Sequence, residues 1–566
     1  MLWPRAMILF AHDVEPGSTV AADVCVVGAG PVGIALALTL AAAGREVLLL
    51  EAGGAGRSDE SQDFYRGSVA DAALHAGLDE YRARCLGGTS TMWGGRCMPL
   101  DPIDFEARDW IADSGWPIAA TALDDHYRAA ARWCEVGEPT FDARADDAPA
   151  GPPMIAGFAG TAFNDWSLER LSCPTDFGRR YHHRLETTPG LRVMLEAAVT
   201  EIVTDADGRR ITGLAVRGGD GRAFTVRPAA TVVASGGMET ARLLLASRSV
   251  VAQGVGNRHD VVGRYYMAHL AGTIGVLTPA GGPRAVWHGY DIADDGTYVR
   301  RRLALDAVAQ RTHRLGNFVA RLHHPTIGDP AHGTASLSAL YLGRFLIPRA
   351  YRPRLAGIEN AGIGTVLHHV ANVARDPLDV ARFAMRMGLG RRLAERKFPS
   401  VIVTPRTGRY MLDFHAEQEP NRDSRLTLSD ARDRWGMPRL HVDWRYTPGD
   451  VHTVRGALAL LRDDLERGGA GTLRYDEDSV EREMIRYGAY PGHHIGTTRM
   501  GDDPRTSVVD RDCRVHDMEN LWLAGSAVFP TSGQANPTLT AVALALRLAD
   551  HLARPVGAIA ASARAA

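Results

Sequence analysis

Apolar residues mark the first patterned segment at Val24–Val27. A glycine-rich turn follows. Positions 31 to 43 are then apolar almost throughout and stop at Gly44, and a second apolar run, Val47–Leu50, ends at Glu51. Short apolar runs bounded by glycine predict buried strands, and the longer run with a glycine stop predicts a helix. The segment therefore reads as strand, helix, strand. Near the carboxyl end, Leu521–Ala524 predicts another strand, followed by Gly525-Ser526. Asn536-Pro537-Thr538 then opens an apolar helix ending near Leu552, with asparagine and proline as its starting signal. Between these ends, Leu426–Leu428 and Leu440–Asp443 are strand-like, and Pro377–Leu393 predicts a basic amphipathic helix. No apolar run approaches the roughly 20 residues of a membrane span. The patch Ala6–Ala11 is short and runs directly into His12, Asp13 and Glu15. It lacks the core of a signal peptide. The expectation is a cytoplasmic protein without a transmembrane segment, with Met7 as an alternative start.

Gly28, Gly30 and Gly33 sit at the first strand–helix turn in G-x-G-x-x-G spacing, and Glu51 follows Gly28 by 23 residues. Glycines there allow a tight turn and let backbone approach a pyrophosphate at the helix amino end. An acid at the end of the second strand accepts hydrogen bonds from a ribose diol. The same carboxylate repels a 2′-phosphate, which disfavours NADP. The fingerprint predicts a dinucleotide site and leaves NAD and FAD both open.

Composition removes other classes. The chain has 566 residues, 45% hydrophobic and 23% charged, with a net charge of −2. That excludes a strongly basic nucleic-acid surface and an acidic disordered chain. Six cysteines without CxxC pairing give neither a disulfide framework nor a metal-ligand set.

Two further stretches carry chemistry. Residues 84–105 read RCLGGTSTMWGGRCMPLDPIDF, with Gly87, Gly88, Gly94 and Gly95 around Ser90, Met92 and Trp93. Leu86, Met92, Trp93 and Met98 are poor residues for a plain surface loop, and glycines permit close approach to a flat or charged ligand. The second stretch contains HHIGTTRMG at 493–501 and NLWLAGSAVFPTSGQANPT at 520–538. With VVGAGPVG, GGTSTMWGG, SGWPI, VASGGMETARLLLAS, VVGRYYMAH and EPNRDSRLTLS, these motifs cover about residues 20–555. Together they resemble the glucose–methanol–choline (GMC) oxidoreductases, most closely the pyranose-oxidase and bacterial sugar-dehydrogenase branch.

The resemblance implies an α/β protein with bound FAD. A discontinuous Rossmann-like FAD-binding domain of the PHBH type would carry a substrate domain built on an antiparallel sheet. It implies oxidation of a CH–OH group, in a sugar, glycoside or cyclic polyol, by hydride transfer to flavin N5. Oxygen, a quinone or a redox protein would accept the electrons. Aligned on Gly496, Thr497 and Met500, the base of the family box is His493, with His494 as the alternative. The second polar residue falls at Asn536, 43 residues later. An asparagine can orient or hydrogen-bond the substrate oxygen, or merely cap the following helix. The cofactor-binding set is Gly28, Gly30, Gly33, Glu51, Gly87, Gly88, Ser90, Met92, Trp93, Val199, Gly525, Ser526, Pro537 and Thr538. Pro537 and Thr538 would set a helix amino end beside the flavin. Met92 stands where several relatives carry a flavin-linked histidine, so the FAD is expected to be non-covalent. A second function class stays open, a lyase that keeps FAD without redox turnover. A monooxygenase of similar fold is disfavoured by the HHIGTTRMG box.

The FAD domain is expected over 20–110, 190–270 and 485–555, and the substrate domain over 111–189 and 271–484. The first substrate block reads as a helical portion with the loop 141–153. Within the second, residues 345–397 carry Arg349, Arg352, Arg354, Arg375, Arg382, Arg386, Arg391, Arg392 and Arg396 with few acids. This stretch reads as a solvated insertion or homo-oligomer face, or as a contact for a membrane surface or redox partner.

Overall fold

The computed structural model describes residues 7–146, 148, 151–346, 362–394, 396–399, 402–489 and 492–554. Strand Thr19–Val27 is the axis of the first sheet. It runs parallel to Val47–Leu50 on one side and to Ala223–Val233 on the other. Leu191–Leu195 and the edge strand Met7–Phe10 continue the parallel order outward. On the far side, Leu521–Leu523 runs parallel to the carboxyl end of Ala223–Val233, while Ile211–Gly218 and Ala197–Thr204 form an antiparallel arm on its amino end. Val24, Val26 and all of Val47–Leu50 are buried because helices cover the sheet, which is why these strands read as unbroken apolar runs. Helix Pro31–Ala42 packs on helix Thr538–Ala553, bringing the two ends of the chain together. Strands from distant segments thus build one sheet. The patch near the amino end, too short to read as an element in the sequence, is its edge strand.

The second sheet is antiparallel. Its order is Gly471–Arg474, Leu270–Pro279, Tyr410–Ala416, Phe318–His323, Tyr298–Leu305, Phe163–Leu171 and Arg96–Cys97. Phe163, Phe318 and Phe414 pack ring against ring on one face, at centroid distances of 6.0 and 5.3 Å. Block 111–189 therefore supplies a strand of this sheet as well as the amphipathic helix Asp124–Trp133.

Two expected strands pair elsewhere. Arg425–Arg432 and Pro438–Asp443 pair with each other and with Ser68–Val69, in a small sheet separate from the antiparallel one. Their buried Leu426, Leu440 and Val442 pack towards helix Gly236–Ala246, beside the nucleotide-type sheet. Alternation in the sequence marks a half-buried strand but does not name the sheet it joins.

The helix expected over Pro377–Leu393 is α-helical only over Pro377–Met387 and ends in a π-helical turn, Gly388–Leu393, which contains two glycines. Helix Ile363–Arg375 precedes it, and both pack on helix Ala335–Leu342. Arg349, Arg352 and Arg354 lie outside the described residues, as do Asp147, Pro149 and Ala150 of the loop 141–153 and the tail from Pro555.

Candidate active site

A cavity of about 860 Å³ opens at the carboxyl ends of the parallel strands and extends to the antiparallel sheet. That is near the upper end of the ~300–1,000 Å³ typical of ligand pockets. Gly28, Gly30, Glu51, Gly88, Ser90, Met92, Trp93, Val199, Gly525, Ser526, Pro537 and Thr538 all line it, together with His493, His494 and Asn536. Gly33 and Gly87 do not. A Cβ on Gly33 would lie 1.8 Å from the Gly28 carbonyl oxygen, and one on Gly87 would lie 2.7 Å from the Gly178 nitrogen. Both serve close packing behind the wall.

The glycine turn divides its tasks. Gly28 has φ +107°, and a Cβ there would meet the Ala234 carbonyl at 2.7 Å. Gly30 caps helix Pro31–Ala42 and has no atom within 4 Å of its Cβ position, so bare backbone faces the cavity at a helix amino end. Glu51 is buried at the end of its strand. It accepts hydrogen bonds from the Ala29 nitrogen at 2.9 Å and the Gly53 nitrogen at 2.8 Å. Burial still pushes its carboxyl above the usual range. Gly525 gives a second open backbone, with φ +114° and nothing within 4 Å. Open backbone at two turns, a helix amino end and a buried acid suit a dinucleotide cofactor. Next to Glu51, Arg84 lies over the Phe64 ring at 4.2 Å, and Arg82 lies over Tyr65 at 4.1 Å while pairing with Glu239 at 3.0 Å. No sequence motif marks this group. Its only local signal is the pair of arginines just ahead of the glycine loop.

That loop is fixed from behind. Ser90 Oγ donates to the Gly87 carbonyl at 2.6 Å and accepts from the Phe177 nitrogen at 3.0 Å. Trp93 Nε1 donates to the Thr175 carbonyl at 2.9 Å. Helix Thr538–Ala553 receives no side-chain cap. The Asn536 side chain instead reaches His493, so the structure does not use it as a helix cap, and the first turn of the helix faces the cavity.

His493 lies between two partners. Its Nδ1 is 2.7 Å from His269 Nδ1, and its Nε2 is 3.0 Å from Asn536 Nδ2. His269 Nε2 is 3.2 Å from the Ser532 carbonyl oxygen, which can only accept. These contacts assign the protons. His269 donates from Nε2, so its Nδ1 accepts. His493 then donates from Nδ1 and carries its lone pair on Nε2, on the side of Asn536. His269 is fully buried, and burial pushes its imidazole down to about 4, so it stays neutral. His269 closes the motif VVGRYYMAH, which by itself assigns it no role. No local pattern tells a relay histidine from a core one. His494 also lines the cavity but stacks on Tyr266, with ring centroids 6.2 Å apart, and burial holds it well below the usual imidazole range.

The far wall comes from the antiparallel sheet and the helical insertion, through Arg96, Leu171, Tyr290, His323, His324, Met387 and Arg391. Burial alone would raise the carboxyl of Glu169 behind this wall, but Arg321 and Arg96 outweigh it and hold Glu169 at about 2. Burial and Arg300 push His323 down to about 3.

Two family models match the chain, one described as FAD dependent oxidoreductase over residues 23–350 and one described as GMC oxidoreductase over residues 420–545. The fructose dehydrogenase large subunit of Gluconobacter japonicus is 29% identical over 370 residues, covering 64% of this chain and 54% of that protein. The 6'''-hydroxyparomomycin C oxidase of Streptomyces lividus is 24% identical over 595 residues, covering 95% and 94%. The match thus spans about half the length of the first relative and nearly all of the second. Among solved structures, pyridoxine 4-oxidase from Mesorbium loti has the same fold, with a TM-score of 0.51 and 18% identity over 94% of this chain and 99% of that one.

Proposed function

The chain belongs to the FAD-dependent oxidoreductases of the GMC family, and from that premise we propose that it oxidises a CH–OH group of a sugar, glycoside or related cyclic polyol, with His493 as the base. The observation that carries this reading is the contact of His493 Nδ1 with the neutral His269, which puts the His493 lone pair on Nε2 at the cavity wall. The substrate hydroxyl proton goes to that nitrogen. The Asn536 amide, now donating to the same nitrogen, turns to the substrate oxygen and favours its negative charge. The cofactor is non-covalent FAD, which supplies the hydride acceptor, N5. Gly28, Gly30 and Glu51 hold its nucleotide end, and Gly88, Ser90, Met92, Trp93, Val199, Gly525 and Ser526 bound the rest. The amino end of helix Thr538–Ala553 favours negative charge in the adjoining part of the cavity. Segments 20–110, 190–270 and 485–555 are read as the FAD-binding domain, and 111–189 with 271–484 as the substrate domain.

The substrate class rests on the named activities of the relatives, which act on a ketose and an aminoglycoside by their names. Those names are of an oxidase and a dehydrogenase, so nothing favours a lyase. The test is an anaerobic panel of free sugars, glycosides, cyclic polyols and simple alcohols, following loss of the flavin absorbance. Oxygen, a quinone and a redox dye are then added separately. Bleaching by simple alcohols alone would sink the substrate class, and product formed without bleaching would sink the oxidation.

A further inference from the structure

Of the twelve large apolar side chains left exposed among the described residues, eight lie between Phe345 and Leu393. They are not scattered. Leu367 and Val370 stand on helix Ile363–Arg375, Leu378 and Met385 on helix Pro377–Met387, and Leu389 and Leu393 on the π-helical turn. The spacings of three, four and seven residues put each set on one face of its helix. The opposite faces pack on helix Ala335–Leu342, through His369 and Asn372 from the first helix and Phe383 from the second. The outward side is therefore apolar, and it carries most of the large apolar side chains exposed among the described residues. An apolar patch of this kind marks an interaction surface.

Charge selects the occupant. Arg375, Arg382 and Arg386 are exposed on the two helices, among the apolar side chains. The two acids on these helices, Asp376 and Asp379, are already paired within the protein. Asp379 accepts from the Ser336 nitrogen at 2.8 Å, and Asp376 accepts from the Asp379 nitrogen at 3.1 Å and pairs with Arg406 at 3.2 Å. The apolar groups stand on helix ridges and are flanked by arginines, the pattern of an interfacial helix on anionic lipid. A symmetric contact with a second copy would set arginines against arginines. We propose that the insertion 363–393 seats on an anionic bilayer surface as a peripheral contact. Met387 and Arg391, at its end, line the cavity, so this seating turns one wall of the cavity towards the bilayer. The proposal rests on the surface alone and stands or falls apart from the reaction proposed above.

The test is co-sedimentation of the full FAD-loaded chain with vesicles of phosphatidylglycerol and phosphatidylcholine in equal parts, against phosphatidylcholine alone. The expected result is pelleting with the mixed vesicles only, weakened by salt. Arg382→Gln should lower the binding constant about 5-fold, and Leu378→Glu with Met385→Glu should abolish binding. Melting temperature and oxidation with a soluble dye should stay unchanged in these variants. Equal binding to both vesicle types overturns the proposal, as does binding to neither. Undiminished binding of the double variant overturns it, and so does a self-association that this variant removes while vesicles are ignored.

Discussion

His269 and His493 face each other through their Nδ1 atoms at 2.7 Å, so a single proton lies between two rings that cannot both donate. The Ser532 carbonyl on the far nitrogen of His269 decides which ring donates. His269 is thus a positioning residue, setting the tautomer that puts the proton-accepting lone pair of His493 on Nε2. His269→Leu should slow flavin reduction about 10²-fold, near the lower end of what a positioned base contributes. His269→Asn, whose amide oxygen can accept from His493 Nδ1, should recover most of that loss. The relay also sets an acid limit. His269 stays neutral down to about pH 4, and below that its second N–H opposes the one on His493. Leucine and asparagine variants with equal, wild-type rates and pH profiles would remove the relay.

The two adjacent histidines should separate cleanly. His493→Ala should lower the rate of flavin reduction by at least about 10²-fold. His494→Ala should do much less, because that ring is stacked on Tyr266 and takes no part in the relay. Rapid-mixing traces on both variants decide it, and a reversed order would move the base to His494.

The parts of the site read from the sequence are those whose chemistry is local. Gly28, Gly30, Gly33 and Glu51 work through their own backbone and spacing, so the turn and its acid were legible as a motif. Arg84 over Phe64 and His269 beside His493 join residues far apart in the chain, and neither residue carries a pattern of its own. The strands at 426–443 show the same boundary. Their alternation was visible, but their pairing with Ser68–Val69 and their packing on helix Gly236–Ala246 join segments far apart in the chain.

Met92 lines the cavity, and its thioether has no proton to lose and so cannot form the neutral link to a flavin that a histidine ring nitrogen can. Acid precipitation of the holoprotein should therefore release the yellow colour completely into the supernatant. Colour retained in the pellet would require another attachment residue.

Buried neutral histidines tie stability to pH. His288 is buried against Tyr410, with ring centroids 5.0 Å apart, and burial together with Arg300 pushes it down to about 3. In the unfolded chain it titrates near 6.5. Between those values the unfolded state binds the extra proton, so this residue's share of stability is intact above pH 6.5 and falls as pH drops. From pH 6.5 to 4.5 the loss is about 2–3 kcal/mol. His288→Leu removes that share of the loss. The wild-type protein should lose more melting temperature than the variant between pH 7 and 4.5, and parallel curves would show that the imidazole is not held neutral.

Asn536 allows the sharpest test of the proposed base. Its Nδ2 is 3.0 Å from His493 Nε2, and its side chain does not cap the helix that follows. An aspartate there would exchange a donated hydrogen bond for a carboxylate beside the imidazole. An opposite charge at that distance raises an imidazole by about 1–3 units, so His493 would hold a proton at neutral pH and cease to be a base. A serine keeps a small neutral hydroxyl that can still donate. Asn536→Asp should therefore reduce flavin far more slowly than Asn536→Ser at pH 7. Its rate should recover as pH rises by the same 1–3 units, because the proton leaves His493 at the higher pH. The new ion pair should contribute most to stability at about pH 5–6, where aspartate and imidazole are both charged, and that contribution should be lost as pH rises through the raised value and again as the carboxylate protonates below about pH 4. FAD content should be unchanged in both variants. An aspartate variant slow at every pH would point to repulsion of the substrate oxygen rather than to a charged His493, and one as fast as the serine variant would remove Asn536 from the reaction.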